Sequence, residues 1–199
     1  MPILLPVRAR LGVLAALILA PLQREAAAAE ARERILGDPA APVTIIEYAS
    51  LTCPHCATFH RETLPVLKER YIDTGKARLV FRDFPLDRAA LAAATLAHCA
   101  GDARYFKFLE AMFANQQSWA RASDPVAALR QLTRLGGLSD ADAEACLADQ
   151  SLQDAILQTR LDGEHEFGVN STPTIFVNGT KAADSSVASL TALIDPLVN

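Results

Sequence analysis

The feature that most constrains the fold of this chain is Cys-Pro-His-Cys at residues 53–56, because regular secondary structure is predicted on both sides of it. Residues 43–48 (Val-Thr-Ile-Ile-Glu-Tyr) are mostly β-branched or aromatic and predict a buried strand. Apolar side chains at helical spacing in residues 54–71 indicate that the motif opens a helix, and residues 78–84 predict a second strand. A strand, a helix and a strand within about 40 residues form a βαβ unit, whose crossover is expected to be right-handed.

The rest of the chain predicts a helical block followed by a return to strands. Residues 30–41 are polar and predict helix at first, ending in a turn. Residues 86–168 are rich in alanine and leucine and predict helices throughout. Asn178-Gly179 lies between two short strands and is a strong hairpin signal, and residues 186–197 predict a last helix. The fold class is therefore α/β, of the order β-α-β, a helical insertion, then β-β-α.

The N-terminal residues have the pattern of an export signal. Arg8 and Arg10 precede an uncharged apolar run, and Ala26–Ala29 follow it. A basic start, about 7–15 apolar residues and small residues at the end are typical of a cleavable signal peptide. A membrane anchor is the alternative, but it needs about 20 apolar residues, and the run at 11–22 is shorter. We predict a signal peptide at residues 1–28.

Export changes what four cysteines imply. Disulfides persist outside the cytosol, and an even number of cysteines fits two pairs. A zinc site at residues 53–56 would need two more ligands, and no second CxxC or HxxxH motif occurs. Attachment of c-type haem would need histidine after the second cysteine, where Ala57 stands. A purely structural disulfide would close a very small loop and would restrict the unfolded chain little.

A redox-active pair has a clear physical basis. Cys53 is predicted at the first turn of a helix, where free N–H groups and the helix dipole favour a thiolate. Cys56 lies one turn further and is predicted to be buried, which makes Cys53 the attacking sulfur and Cys56 the resolving one. Pro54 suits the first helical position, and His55 is expected to stabilise the thiolate further. Stabilising the dithiol form makes the disulfide a stronger oxidant, so the motif favours a disulfide donor.

Several motifs together resemble the DsbA family of exported thiol:disulfide oxidoreductases. They are Glu47 six residues before Cys53, the CPHC sequence, the helical block and GVNSTPTIFVNG at residues 168–179. The resemblance implies a thioredoxin fold with a helical insertion. It implies that Pro173 is a cis-proline against the active disulfide and that Thr172 tunes redox and substrate contact. It also implies that Glu47 is a buried acid that relays a proton for Cys56.

The resemblance sets expectations for organisation and activity. The halves of the thioredoxin-like domain are expected at residues 29–85 and 169–199, with the insertion at residues 86–168. The chain is expected to act in the periplasm as a monomer without cofactor, metal or nucleic acid. It would donate the Cys53–Cys56 disulfide to reduced, unfolded exported proteins through a mixed disulfide at Cys53. A DsbB-type, quinone-linked membrane oxidase would reoxidise it.

Two alternatives to the oxidase remain open. Thr172 stands where well-known oxidases of the family have an aliphatic residue, so an isomerase or reductase that is kept reduced is one alternative. A non-catalytic exported chaperone that binds peptide or metal is the other.

The remaining cysteines, together with His60 and His98, are predicted to have structural rather than catalytic roles. The resemblance implies a second, structural disulfide between Cys99 and Cys146, which would contribute about 3–4 kcal/mol by the chain-entropy model. The alternative is two buried, reduced cysteines that pack as small apolar residues. His60 and His98 lie on predicted helices, where we expect them to face solvent or to be satisfied by hydrogen bonds rather than to act in catalysis.

Overall fold

A computed structural model describes residues 33–198. The signal peptide predicted at residues 1–28 lies outside this range. Within the described range, no helix has both the length and the apolar character needed to cross a membrane.

A five-stranded mixed sheet forms the centre of the molecule, with the strand order β1-β3-β2-β4-β5. The central pair, β2 and β3, is parallel, as the βαβ prediction requires, and the other neighbours are antiparallel. All apolar side chains of β2 except the partly buried Ile46 are buried, because helices cover both faces of the sheet. The strands are β1 (Arg34–Leu36), β2 (Val43–Ala49), β3 (Ala77–Asp83), β4 (Thr174–Val177) and β5 (Thr180–Lys181).

The prediction of helix at the start of residues 30–41 is wrong where the structure describes them, because Arg34–Leu36 form strand β1. This segment pairs with β3, with Ile35 opposite Val80. The outer edge of β3 would otherwise leave backbone N–H and C=O groups without partners. Pairing across the sheet therefore outweighs the local helical preference of a short polar segment.

The helical stretch after the cysteine motif runs from Pro54 to Ile72 and contains two π-helical turns. Two α-helical segments alternate with single π-helical turns, and Pro65 lies in the first turn of the second α-helical segment. Proline removes a backbone donor, and π turns mark places where the regular hydrogen-bond ladder is broken. The segments are α1 (Pro54–Thr58), a π turn (Phe59–Thr63), α2 (Leu64–Leu67) and a π turn (Lys68–Ile72).

Six helices form the predicted block between β3 and β4. Asp87, Asp124, Ser139 and Asp149 begin four of them, and each side chain accepts a hydrogen bond from a backbone N–H in the first turn. The helices are α3 (Arg88–Cys99), α4 (Asp102–Ala114), α5 (Gln116–Ala120), α6 (Pro125–Leu135), α7 (Asp140–Leu147) and α8 (Gln150–Phe167). Their apolar faces share one core with both cysteines of the motif, so the block packs directly behind the motif.

The C-terminal segment completes the sheet as the sequence predicts. Asn178 and Gly179 have φ values of 44° and 83°, and they connect β4 to β5 in a hairpin. Helix α9 (Val187–Val198) follows and buries Leu190 and Ile194 against the sheet. Strand β4 lies beside β2, which brings the segment before β4 next to the start of α1.

Candidate active site

Cys53 lies at the junction of a strand and a helix. Strand β2 ends at Ala49, and the backbone N–H of Cys53 donates to the Ser50 carbonyl in a tight turn. Cys53 is the N-cap residue of α1, and Pro54 occupies the first turn, where its missing N–H costs nothing. Cys53 retains 6% exposure and Cys56 none. Both thiols are free in this structure, which therefore represents the dithiol form.

The surroundings of Cys53 stabilise its thiolate. The pKa of Cys53 is lowered from 9.0 to about 5, first because the Cys56 thiol donates a hydrogen bond to its sulfur. The Thr172 side chain and the backbone N–H groups of Cys56 and His55 add to the effect, while burial opposes it. The side chain of His55 is exposed at the surface, so its backbone N–H is the group that the structure places against the sulfur.

The pKa of Cys56 is shifted in the opposite direction. Burial is the largest cause that raises the pKa of the Cys56 thiol, followed by its hydrogen bond to Cys53 and the nearby charge of Glu47. At neutral pH the first sulfur is therefore an anion, and the second is a thiol that donates to it. This division separates an accessible nucleophile from a buried partner that holds its proton.

Thr172 and Pro173 close the site from the other half of the chain. The peptide bond between them is cis. In the protonated form, the Cys53 thiol donates to the Thr172 carbonyl at 3.2 Å. While Cys53 is a thiol, Thr172 Oγ1 is buried and bonds to no other group in the described part of the chain, so its hydroxyl group is free to donate to the thiolate. Thr172 thus offers its backbone carbonyl and its hydroxyl group at the sulfur.

Behind the cysteines, Glu47 and His60 form a buried pair. Glu47 lies on β2 opposite Phe81 of β3, and its side chain is completely buried. A hydrogen bond of 3.0 Å joins Glu47 Oε2 to His60 Nε2. The His60 ring stacks on Phe113 of α4 at 4.1 Å between centroids. Sequence reasoning assigned His60 no role, although its position four residues after Cys56 places both on one face of a helical stretch.

Gln116 is a second residue whose role the sequence did not reveal. It is buried at the start of α5, and its side-chain amide donates to the Leu51 carbonyl at 2.8 Å and to the Cys53 carbonyl at 2.9 Å. The helical block thereby holds the turn that carries Cys53. No sequence signal distinguishes Gln116 from its exposed neighbour Gln117, because only the packed fold brings α5 to this turn.

A cavity of about 590 Å³ adjoins the motif on the surface. Thr52 and Pro54 line it on the motif side, and Asp87, Arg88 and Arg121 line it on the side of the helical block. The cavity is open beside the first turn of α1, next to the turn that carries Cys53.

Cys99 and Cys146 lie in the helical block and are joined by a disulfide with 6.2 Å between their Cα atoms. The bond connects the end of α3 to α7 across a sequence separation of 47 residues. Within residues 33–198, no cluster of three or more histidine, cysteine or acidic side chains has an arrangement that could hold a metal ion.

Comparisons with known proteins agree with this geometry. A family model described as thioredoxin matches residues 29–196. A Rickettsia typhi protein whose name includes "protein-disulfide oxidoreductase" is 34% identical over 82% of this chain and 61% of its own length. A similarly named Rickettsia bellii protein is 31% identical over 83% of this chain and 64% of its own. The chain thus spans less than two thirds of the length of these relatives.

Among solved structures, alpha-DsbA1 from Wolbachia pipientis superposes with a TM-score of 0.78 at 35% identity. The match covers 84% of this chain and 91% of that one.

Proposed function

Because this chain belongs to the DsbA-like members of the thioredoxin family, we propose that it is an exported thiol:disulfide oxidoreductase that donates its Cys53–Cys56 disulfide to folding proteins. The observation that carries the proposal is the opposite displacement of the two thiol pKa values, downward at Cys53 and upward at Cys56. Stabilising the thiolate at Cys53 stabilises the dithiol form, which raises the reduction potential and favours oxidation of substrates.

The first chemical step is attack of a substrate thiolate on Cys53 Sγ. Cys53 is the sulfur that retains exposure, whereas Cys56 is completely buried. A substrate–Cys53 disulfide forms, and Cys56 leaves as a thiolate. The environment that raises the pKa of Cys56 makes that thiolate take up a proton. Glu47 would relay that proton.

The second step releases the oxidised substrate. A second substrate thiolate attacks the substrate sulfur of the mixed disulfide, and Cys53 leaves as a thiolate. A thiol of low pKa is a better leaving group, so the same stabilisation that makes Cys53 acidic accelerates this release. The two electrons of the substrate thiols remain on the enzyme as the dithiol.

The surrounding residues hold substrate and sulfur in place. Thr172 and Pro173 present backbone next to Cys53, and a bound peptide would pair there by strand addition. Pro54 and His55 form the exposed first turn of α1, so both would contact the substrate chain. The backbone N–H of His55 also stabilises the Cys53 thiolate.

The cellular setting is part of the proposal. The chain would be exported by its first 28 residues and would act in the periplasm as a monomer on reduced, unfolded proteins. A DsbB-type, quinone-linked membrane oxidase would restore the disulfide. We further propose the division into thioredoxin-like halves at residues 29–85 and 169–199 around an insertion at residues 86–168, stabilised by the disulfide between Cys99 and Cys146.

Two measurements, on the wild-type protein and on Cys53→Ala, test this function. The oxidised protein should form disulfides stoichiometrically in a reduced, unfolded substrate, and Cys53→Ala should abolish that reaction. In cells, trapping of thiols should find Cys53 mostly oxidised. Trapping mostly as a thiol would select the isomerase or reductase, and full function of Cys53→Ala would select a non-catalytic chaperone.

A further inference from the structure

The buried carboxyl group of Glu47 has one oxygen that is still available. Oε2 is bonded to His60, but Oε1 is buried and has no hydrogen-bond partner among residues 33–198. Such an atom is uncommon in a folded protein, because an unsatisfied buried polar group is costly. The charge of Glu47 also acts on the Cys56 thiol, which places the carboxyl group within electrostatic reach of the resolving sulfur.

His60 links this carboxyl group to a second cavity. Its side chain is 7% exposed, packs between aromatic rings of α4 and β3, and lines a cavity of about 520 Å³. The rim of this cavity includes exposed residues such as Pro65 and Asp102. It shares no lining residue with the cavity beside Pro54. The imidazole therefore has the buried acid on one side and a separate approach from solvent on the other.

We propose that His60 exchanges protons with solvent through this cavity and passes them to and from Glu47, so that Cys56 is protonated without a path through the bound substrate. This inference rests on the proposed function, and it adds a positioning residue and a route to it. A bound peptide would cover Cys53 and the cavity beside Pro54, which would leave the second cavity as the open one.

The electron pair of the disulfide and the relayed protons are accounted for in both directions of the reaction. When a substrate thiolate attacks Cys53, the Cys53–Cys56 bond breaks and its electron pair remains on the Cys56 sulfur. Protonated Glu47 gives its proton to that sulfur, His60 gives one to the Glu47 carboxylate, and solvent gives one to His60. During reoxidation the same groups carry the proton outward, so that the Cys56 thiolate can attack a mixed disulfide at Cys53.

Ionisable side chains surround His60 on the side of the cavity. Two lysines and four carboxylates line it, which gives it an excess of negative charge: Lys68, Glu69, Asp73, Asp102, Lys107 and Glu110. The aromatic rings on β3 and α4 that contact His60 carry no ionisable group.

The test is the pH profile of disulfide reduction in His60→Gln. The oxidised full-length protein is mixed with excess dithiothreitol between about pH 5 and 8, and each rate is divided by the thiolate fraction of the reagent. The wild-type rate should fall as pH rises, because Glu47 and His60 lose the protons that they would pass to Cys56. His60→Gln should flatten the profile and slow the acidic limb at least about tenfold, which is part of the roughly 10²–10⁴-fold that general-acid catalysis contributes. Its solvent deuterium isotope effect should shrink.

His98→Gln is the matched control. His98 is also a buried histidine paired with a carboxylate, Asp83, at 2.7 Å, but it lies in the helical block. Its replacement should leave the profile unchanged. Because Glu47 and His60 act in series, His60→Gln should add little in a Glu47→Gln background. The proposal is overturned if His60→Gln keeps the wild-type profile, if His98→Gln changes it equally, or if the two effects are additive.

Other outcomes separate this inference from the proposed function. If the wild-type protein does not oxidise a reduced substrate, the function itself fails. If it does so and His60→Gln matches it at every pH, only the relay fails. Should His60→Gln not fold, the solvent deuterium isotope effect on the wild-type rate decides the matter, because proton transfer to Cys56 through the relay would produce one. An isotope effect of one across the pH range would overturn the relay.

Discussion

Replacing Cys56 with alanine tests the cause of the acidity of Cys53. The hydrogen bond from the Cys56 thiol is the largest stabilisation of the Cys53 thiolate, ahead of Thr172 and the backbone N–H groups. Cys56→Ala removes that donor and leaves the others in place. Cys56→Ser is the matched variant, because its hydroxyl group can still donate to the sulfur.

The size of the effect follows from the energy of one charge-assisted hydrogen bond. Such a bond contributes about 1.5–3 kcal/mol, and one pKa unit corresponds to about 1.4 kcal/mol. Cys56→Ala should therefore raise the pKa of Cys53 by about 1–2 units, from about 5 to about 6–7. At pH 5 the thiolate fraction would fall from about one half to about 1–10%.

The assay is alkylation of Cys53 by iodoacetamide as a function of pH, since only the thiolate reacts. At pH 5 the rate should drop about 5- to 50-fold in Cys56→Ala, with the midpoint of the profile moved upward. Cys56→Ser should stay nearer to the dithiol form of the wild type. If Cys56→Ala keeps a midpoint near 5, or if the two variants are the same, the thiol of Cys56 is not the dominant donor.

Three further predictions concern pH, the second disulfide and Gln116. The pKa of Cys53 is depressed on folding, so the stabilisation of the dithiol form is complete above the ordinary value of 9.0 and is lost as pH falls through about 5. The reduction potential should accordingly change by about 59 mV per pH unit below that point and about 30 mV above it, and a single slope across the range would contradict the assignment. Replacing Cys99 and Cys146 together with alanine should lower the free energy of unfolding in urea by about 4 kcal/mol, which a loop of 47 residues predicts. Gln116→Ala should lower it by about 1–3 kcal/mol, because the Leu51 carbonyl loses its side-chain donor and the Cys53 carbonyl keeps only the Ala57 N–H, whereas the exposed Gln117→Ala should change it by less than about 0.5 kcal/mol.

The parts of the fold that the sequence predicted are those with strong local signals. Residues 43–48 form a strand because they are mostly β-branched or aromatic, and Asn178-Gly179 form a hairpin turn because both residues tolerate positive φ. The helical block follows from alanine, leucine and helix caps. The strand at Arg34–Leu36 was missed because its only reason to be extended is the edge of β3, a contact that local sequence does not encode.

The residues of the candidate site also fall into those that local sequence predicts and those whose roles depend on tertiary packing. Cys53 and its place at a helix start follow from the order of strand and motif, which is local. His60 and Gln116 contribute through side chains that reach across the fold, and Gln116 lies 63 residues from the carbonyl of Cys53 that it contacts. A histidine on a helix or one glutamine of a pair has no distinctive spacing. Their roles become visible only when the packing of α4 and α5 against the motif is known.

The acidity of Cys53 is thus a property of the folded chain rather than of the CPHC sequence. Thr172, 119 residues away, lies against the sulfur, and the helical block buries Cys56 beneath it. When the chain unfolds, these contacts are lost and the thiol returns to its ordinary pKa. The folding energy of the dithiol form and the oxidising strength of the disulfide are therefore coupled in one thermodynamic cycle. A substitution that weakens a contact to the thiolate must lower both together, even where it lies far from Cys53 in sequence.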